Sequence, residues 1–139
     1  MTGEPVLSAA SAQTAGILLL TLVAVAYGGT FLLKVVAGAA PATDFQRSWF
    51  RAGHAHAGVL VLLSLVALLY RDAAGLDGAL ASVGTALLPL AAILVPAGFF
   101  LGAAGRGREG PGRLAVLLWA GVALLAVGVV CLGLALLLV

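Results

Sequence analysis

Arg51, His54 and His56 concentrate the chemistry of this chain. They lie in the stretch Arg51-Ala-Gly-His-Ala-His-Ala-Gly58, at the mouth of an apolar run that continues to Tyr70. Ionisable side chains at membrane depth are costly and by default mark a functional site. Imidazoles there can ligate a metal or haem iron, or hydrogen-bond a quinone or a partner. A helix turns by about 100° per residue, so two histidines two positions apart point to nearly opposite sides. They cannot chelate one metal ion, which on a helix needs the i, i+4 spacing of HExxH. Each histidine is left to serve a different neighbour.

Helical spacing puts Arg47, Arg51, His54 and Gly58 on one stripe, and Trp49, Ala52, His56 and Leu60 on another. The histidines are surrounded by Ala52, Gly53, Ala55, Ala57 and Gly58. Residues this small let another backbone, or a flat cofactor such as haem, approach closely. The candidate cofactor-binding set is therefore His54, His56, Arg51, Gly53 and Gly58. The competing reading is close helix packing, with the imidazoles hydrogen-bonded across the interface. Tyr27, Lys34 and Asp44 are the other polar candidates. Tyr27 and Lys34 are seven apart on one face, and Ala24 and Gly28 form a small-xxx-small pair beside them. Lys34 is expected to snorkel to the interface, the alternative being an inward position beside Asp44 or an anionic ligand.

Catalytic residues are not evident, and an enzyme is the least supported class. Asp44 is the one carboxylate near the histidines. A nucleophile needs a base within reach, yet Ser64 lies two to three turns deeper and Cys131 sits in the last apolar run. A single cysteine forms no internal disulfide and offers no cysteine metal spacing.

Composition dictates what positions these residues. The chain has 139 residues, 63% hydrophobic and 9% charged, with a mean hydropathy of +1.23. Soluble domains carry about 25% charged residues, so this chain cannot cover a water-facing surface. Four apolar runs, about residues 15–36, 52–70, 80–101 and 114–139, each reach the roughly 20 residues that span a bilayer. The expectation is one integral membrane domain over residues 1–139: four transmembrane helices in an antiparallel up-down bundle. A cleavable signal peptide is disfavoured because Met1 to Thr14 holds Glu4 but no Lys or Arg.

Six of the seven basic residues, Lys34, Arg47, Arg51, Arg106, Arg108 and Arg113, fall around the first and third loops, against Arg71 alone on the other side. The positive-inside rule makes the basic loops cytoplasmic and puts both termini on the outer face. The net charge of +2 is explained by topology and anionic lipid and gives no reason to expect nucleic acid. The third loop, Gly102 to Gly112, reads as a flexible basic turn. In the first loop, Thr43 or Asp44 is expected to N-cap a short interfacial turn. Trp49 and Phe50 would anchor it at headgroup level, so the loop could serve as a lid over the histidines. Pro89 and Pro96, seven apart in the third run, can line a cavity.

The segment from Tyr27 to Leu65, YGGTFLLK followed by FQRSWFRAGHAHAGVLVLLSL, resembles small four-helix bacterial integral membrane proteins of uncharacterised function with a RAGHAHAG-type motif. The resemblance covers about a third of the chain and implies the four-helix fold but no activity. HAHAG is also remotely similar to the start of a helix in subunit I of the haem–copper oxidase superfamily, whose further metal-ligand histidines are absent here. Three functions follow for a multi-pass protein of the bacterial cytoplasmic membrane. The first is an accessory or structural component of a larger membrane complex or homo-oligomer. The second is a haem- or quinone-binding protein, and the third a small transporter or channel.

Overall fold

The computed structural model describes residues 5–139, whose regular secondary structure is all helical, with no strand among them. Glu4 lies outside the described residues. Helix α1 spans Ala9–Val36, α2 Asp44–Ala73, α3 Ala79–Gly102 and α4 Val116–Leu137, the last entered through a short 3-10 turn at Arg113–Ala115. All four are long and apolar enough to cross a membrane.

Two helices begin earlier than their apolar runs, each for a capping reason. Ser8 caps α1, its hydroxyl accepting the Ser11 N–H at 3.2 Å, so the polar turn Ser11–Thr14 is helical as well. Thr43 caps α2 through a reciprocal box: its hydroxyl accepts the Gln46 N–H, and the Gln46 side chain accepts the Thr43 N–H. Such a cap satisfies two otherwise unpaired amides. The expected interfacial lid is therefore not a separate element. Residues 44–51 are the first two turns of α2 itself.

At 1.5 Å per residue, α2 is roughly 45 Å long, and Arg51 to Arg71 covers about 30 Å, the thickness of a bilayer's hydrocarbon core. Arg51 and Arg71 thus bracket the apolar part of the helix.

Glycines set how closely the helices approach. On α3, Gly98 lies against the backbone of Leu118. A β-carbon at Gly121 would stand 2.7 Å from Val95 N, and one at Gly84 would stand 2.9 Å from Leu132 N. The α3–α4 seam is thus backbone on backbone, the approach small residues permit in membranes. Leu60, Val61 and Leu68 of α2 form a core with Ala92 and Val95 of α3 and Leu18 of α1. Helix α3 stays helical through Pro89 and Pro96, and Pro96 is buried.

Burial shows which helix is peripheral. In the most apolar window of each, 44% of α3 is buried but only 6% of α1. Helix α1 rests chiefly on α2.

Candidate functional site

The ends of the helices fix the surroundings of the histidines. Gln46 is buried, and its Nε2 donates to the carbonyls of Ala103 at 2.9 Å and Gly105 at 2.6 Å. Thr43 Oγ1 donates to the Arg108 carbonyl, Arg108 Nε to Ala104 O at 2.7 Å, and Gly112 N to Gly102 O at 2.7 Å. The third loop is consequently not the flexible turn its Gly and Pro content suggests. It is tied to the start of α2 by hydrogen bonds worth about 1 kcal/mol each. Sequence reasoning missed Gln46, although the T-x-x-Q spacing of a capping box was its signal.

Aromatic rings join three helices at this end. Phe50 makes an edge contact with Phe31 of α1 (5.6 Å between centroids) and stacks on Phe100 of α3 at 5.6 Å. Trp49 packs edge-on to Phe99 at 5.4 Å and covers Gly102. Trp49 and Phe50 thus clamp α2 to its neighbours. Offset and edge geometries of this kind add about 0.5–1.5 kcal/mol per pair beyond burial.

The regular helix turns His54 and His56 to different neighbours. His54 is half-buried and faces α1, where a β-carbon at Gly29 would stand 3.4 Å from its Cε1 and Nε2. The close-approach glycine on α1 is therefore Gly29. Gly28, half of the expected small-residue pair, has open space beside it. His54 also lines an open groove of about 670 Å³ with Asp44, Arg47, Ser48 and Arg51. Within it Arg47 Nη2 lies 3.6 Å from Asp44 Oδ1, the one ion pair among the described residues, and donates to Ala42 O at 2.9 Å. Two guanidiniums against one carboxylate leave the groove net positive, which favours anions.

His56 is exposed and tilts against Phe99 at 5.2 Å. Its Nδ1 lies 2.7 Å from the Ala52 carbonyl. A carbonyl only accepts, so Nδ1 carries the proton and Nε2 of the neutral ring is left with its lone pair. Metal-bound histidines are held in just this way, with one nitrogen anchored to a carbonyl and the other free to ligate.

The other candidates divide. Gly53 is filled from within: a β-carbon there would meet Phe99 Cβ at 2.9 Å and Phe100 Cε2 at 3.0 Å. It belongs to the α2–α3 seam and offers no surface to a cofactor. Gly58 faces open space. Arg51 is exposed beside the groove. Tyr27 and Lys34 are exposed on α1. Ser64 is buried and donates to Leu60 O at 2.8 Å, which satisfies its hydroxyl inside the helix. Among the described residues no three His, Cys, Asp or Glu side chains converge.

No family model, curated protein or solved structure matches this chain.

Proposed function

We propose that this chain is a component of a larger membrane assembly and that His56 is the point at which a partner or cofactor engages it. In this reading the protein crosses the bacterial cytoplasmic membrane four times as an antiparallel up-down bundle. The first and third loops are cytoplasmic, and both termini lie outside. The contacts of Gln46 with the third loop and of Ser8 with Asp72 support it, as does the grouping of basic residues.

The observation that carries the assembly reading is the exposed imidazole of His56, with Nδ1 committed to Ala52. Its Cα lies about 7 Å past Arg51 along the helix, just inside the apolar zone. Apolar side chains are content against lipid, whereas an imidazole acceptor there is costly unless something meets it. The exposed apolar face of α1 gives no comparable argument, because lipid satisfies it.

The test is the mass of the protein solubilised in a mild detergent. The expected particle is larger than the 13.8 kDa chain, and His56→Ala reduces it while His54→Ala does not. A wild-type monomer would overturn the assembly reading. Topology is tested separately by thiol labelling of Arg106→Cys in a Cys131→Ser background. Labelling from the outer side would reverse the orientation.

The same lone pair favours one second reading, a haem or quinone held at His56 Nε2. A Soret band in the purified protein that survives His54→Ala and disappears in His56→Ala would support haem. A colourless protein would remove haem and leave the partner.

A further inference from the structure

A second polar site lies at the other end of the helices. Arg71 of α2 reaches α3, donating from Nη1 to Thr85 Oγ1 at 3.3 Å and from Nη2 to Ser82 Oγ at 3.4 Å, while its Nε points to the Leu76 carbonyl at 3.4 Å. All three bonds are long for N–H···O, where 2.9–3.0 Å is usual. A guanidinium has five N–H donors, so it is under-used here, and no carboxylate pairs with it among the described residues.

These groups border a cavity of about 320 Å³ between α1, α2 and α3. At roughly 30 Å³ per water, it has room for about ten water molecules or a headgroup. Ser11 lines it from α1, 2% exposed, and its Oγ has no hydrogen-bond partner. A buried hydroxyl left unsatisfied costs about 1–3 kcal/mol and calls for an explanation. Thr85, 4% exposed, already donates to Ala81 O at 2.8 Å. Asp72 and Asp77 are the nearby carboxylates, in an adjoining cleft that Arg71 also borders, and neither forms an ion pair with it. Asp72 Oδ2 is engaged by the Ser8 N–H, which it accepts at 2.7 Å. The Ser11 hydroxyl also approaches Asp72 and can rotate towards it or towards an occupant of the cavity. Thr14 completes the polar side, its hydroxyl already donating to Ala10 O at 3.0 Å. Leu68, Pro89 and Leu90 form an apolar side on which Leu90 is exposed.

We propose that this cavity binds a phosphate group, held by the free N–H donors of Arg71 and the Ser11 hydroxyl, with Ser82 beside them. An arginine fork matches phosphate geometry. The apolar wall running to an exposed leucine suits the first methylenes of an acyl chain, so a phospholipid headgroup is one source of the phosphate and the free ion is the other. Neither requires the histidine site.

The test is thermal stabilisation of the detergent-purified protein by short-chain phosphatidylglycerol, short-chain diacylglycerol or inorganic phosphate. Phosphatidylglycerol is expected to raise the melting temperature, and diacylglycerol, with the same chains and no phosphate, is not. In Arg71→Gln the half-saturating concentration should rise about tenfold or more, the effect of losing a charge-assisted hydrogen bond. Ser11→Ala, which leaves the fold's charge pattern intact, should weaken binding by a smaller factor in the same direction. A matching response to inorganic phosphate identifies the free ion as the source, whereas a response to the lipid alone identifies the headgroup. Equal stabilisation by diacylglycerol, or full binding in both variants, overturns the site.

Discussion

The imidazole of His54 packs against Gly29 on the neighbouring helix, and a β-carbon at that glycine would stand 3.4 Å from two ring atoms. That distance is ordinary contact for one methyl but leaves no room for a longer side chain. Gly29→Ala should therefore leave the ring in place, and Gly29→Leu should displace it and loosen α1 from α2. NMR of histidine-labelled protein would show this. The His54 signals move in Gly29→Leu while those of His56, which faces Phe99, stay. Movement of both together would mean that the two rings are coupled.

Gly98 predicts the sharpest loss of stability. It abuts the backbone of Leu118, which cannot swing aside as a side chain can. Overpacking a seam typically costs about 1–3 kcal/mol, and here the upper part of that range or more is expected. Gly98→Ala should lower the denaturation midpoint in micelles more than Gly53→Ala, where the closest contact is the Phe99 β-carbon at 2.9 Å and not backbone. Gly58→Ala and Gly16→Ala, with open space beside them, should be neutral. Comparable midpoints for the variants at 98 and 58 would show that the α3–α4 approach is looser than described.

Gln46 should control the order of the third loop. Replacing it with Ala removes half of the α2 capping box and two donors to Ala103 and Gly105. The expected cost is about 2–3 kcal/mol, from two net hydrogen bonds and a cap. Amide exchange across residues 103–112 should accelerate in Gln46→Ala, while α4 keeps its protection. Thr43→Ala should act in the same direction and more weakly.

Gln46 also shows where sequence reading stops. The four helices were legible because about 20 apolar residues in a row have few alternatives, and the divergence of His54 and His56 follows from helical geometry alone. Hydropathy, however, reports only the part of a helix that lies in lipid. It therefore missed the first turns of α1 and α2, which capping by Ser8 and Thr43 creates from polar residues. The partners of Trp49, Phe50 and Gly53 were illegible for a different reason. Phe99 and Phe100 lie almost fifty residues away, and only the packed helices reveal which face of α3 meets α2. Composition likewise made residues 103–112 look mobile, because the bonds that tie them to α2 come from Thr43 and Gln46, about sixty residues earlier.

Asp72 should hold the first turns of α1. Helix α1 is the least buried of the four, so its attachment depends on few contacts, and one of these is the Ser8 N–H donated to Asp72 Oδ2 at 2.7 Å. Ser8 is also the N-cap, so the bond anchors the residue that starts the helix. The bond is exposed and screened by solvent, so its contribution is modest, yet a free helix end frays readily. Asp72→Ala should speed amide exchange over residues 9–14, and Asp72→Asn, which keeps an acceptor but not the charge, should have a smaller effect. Protection in α3 and α4 should not change in either variant. If residues 9–14 exchange at the wild-type rate in Asp72→Ala, the start of α1 is held by its packing around Leu18 instead.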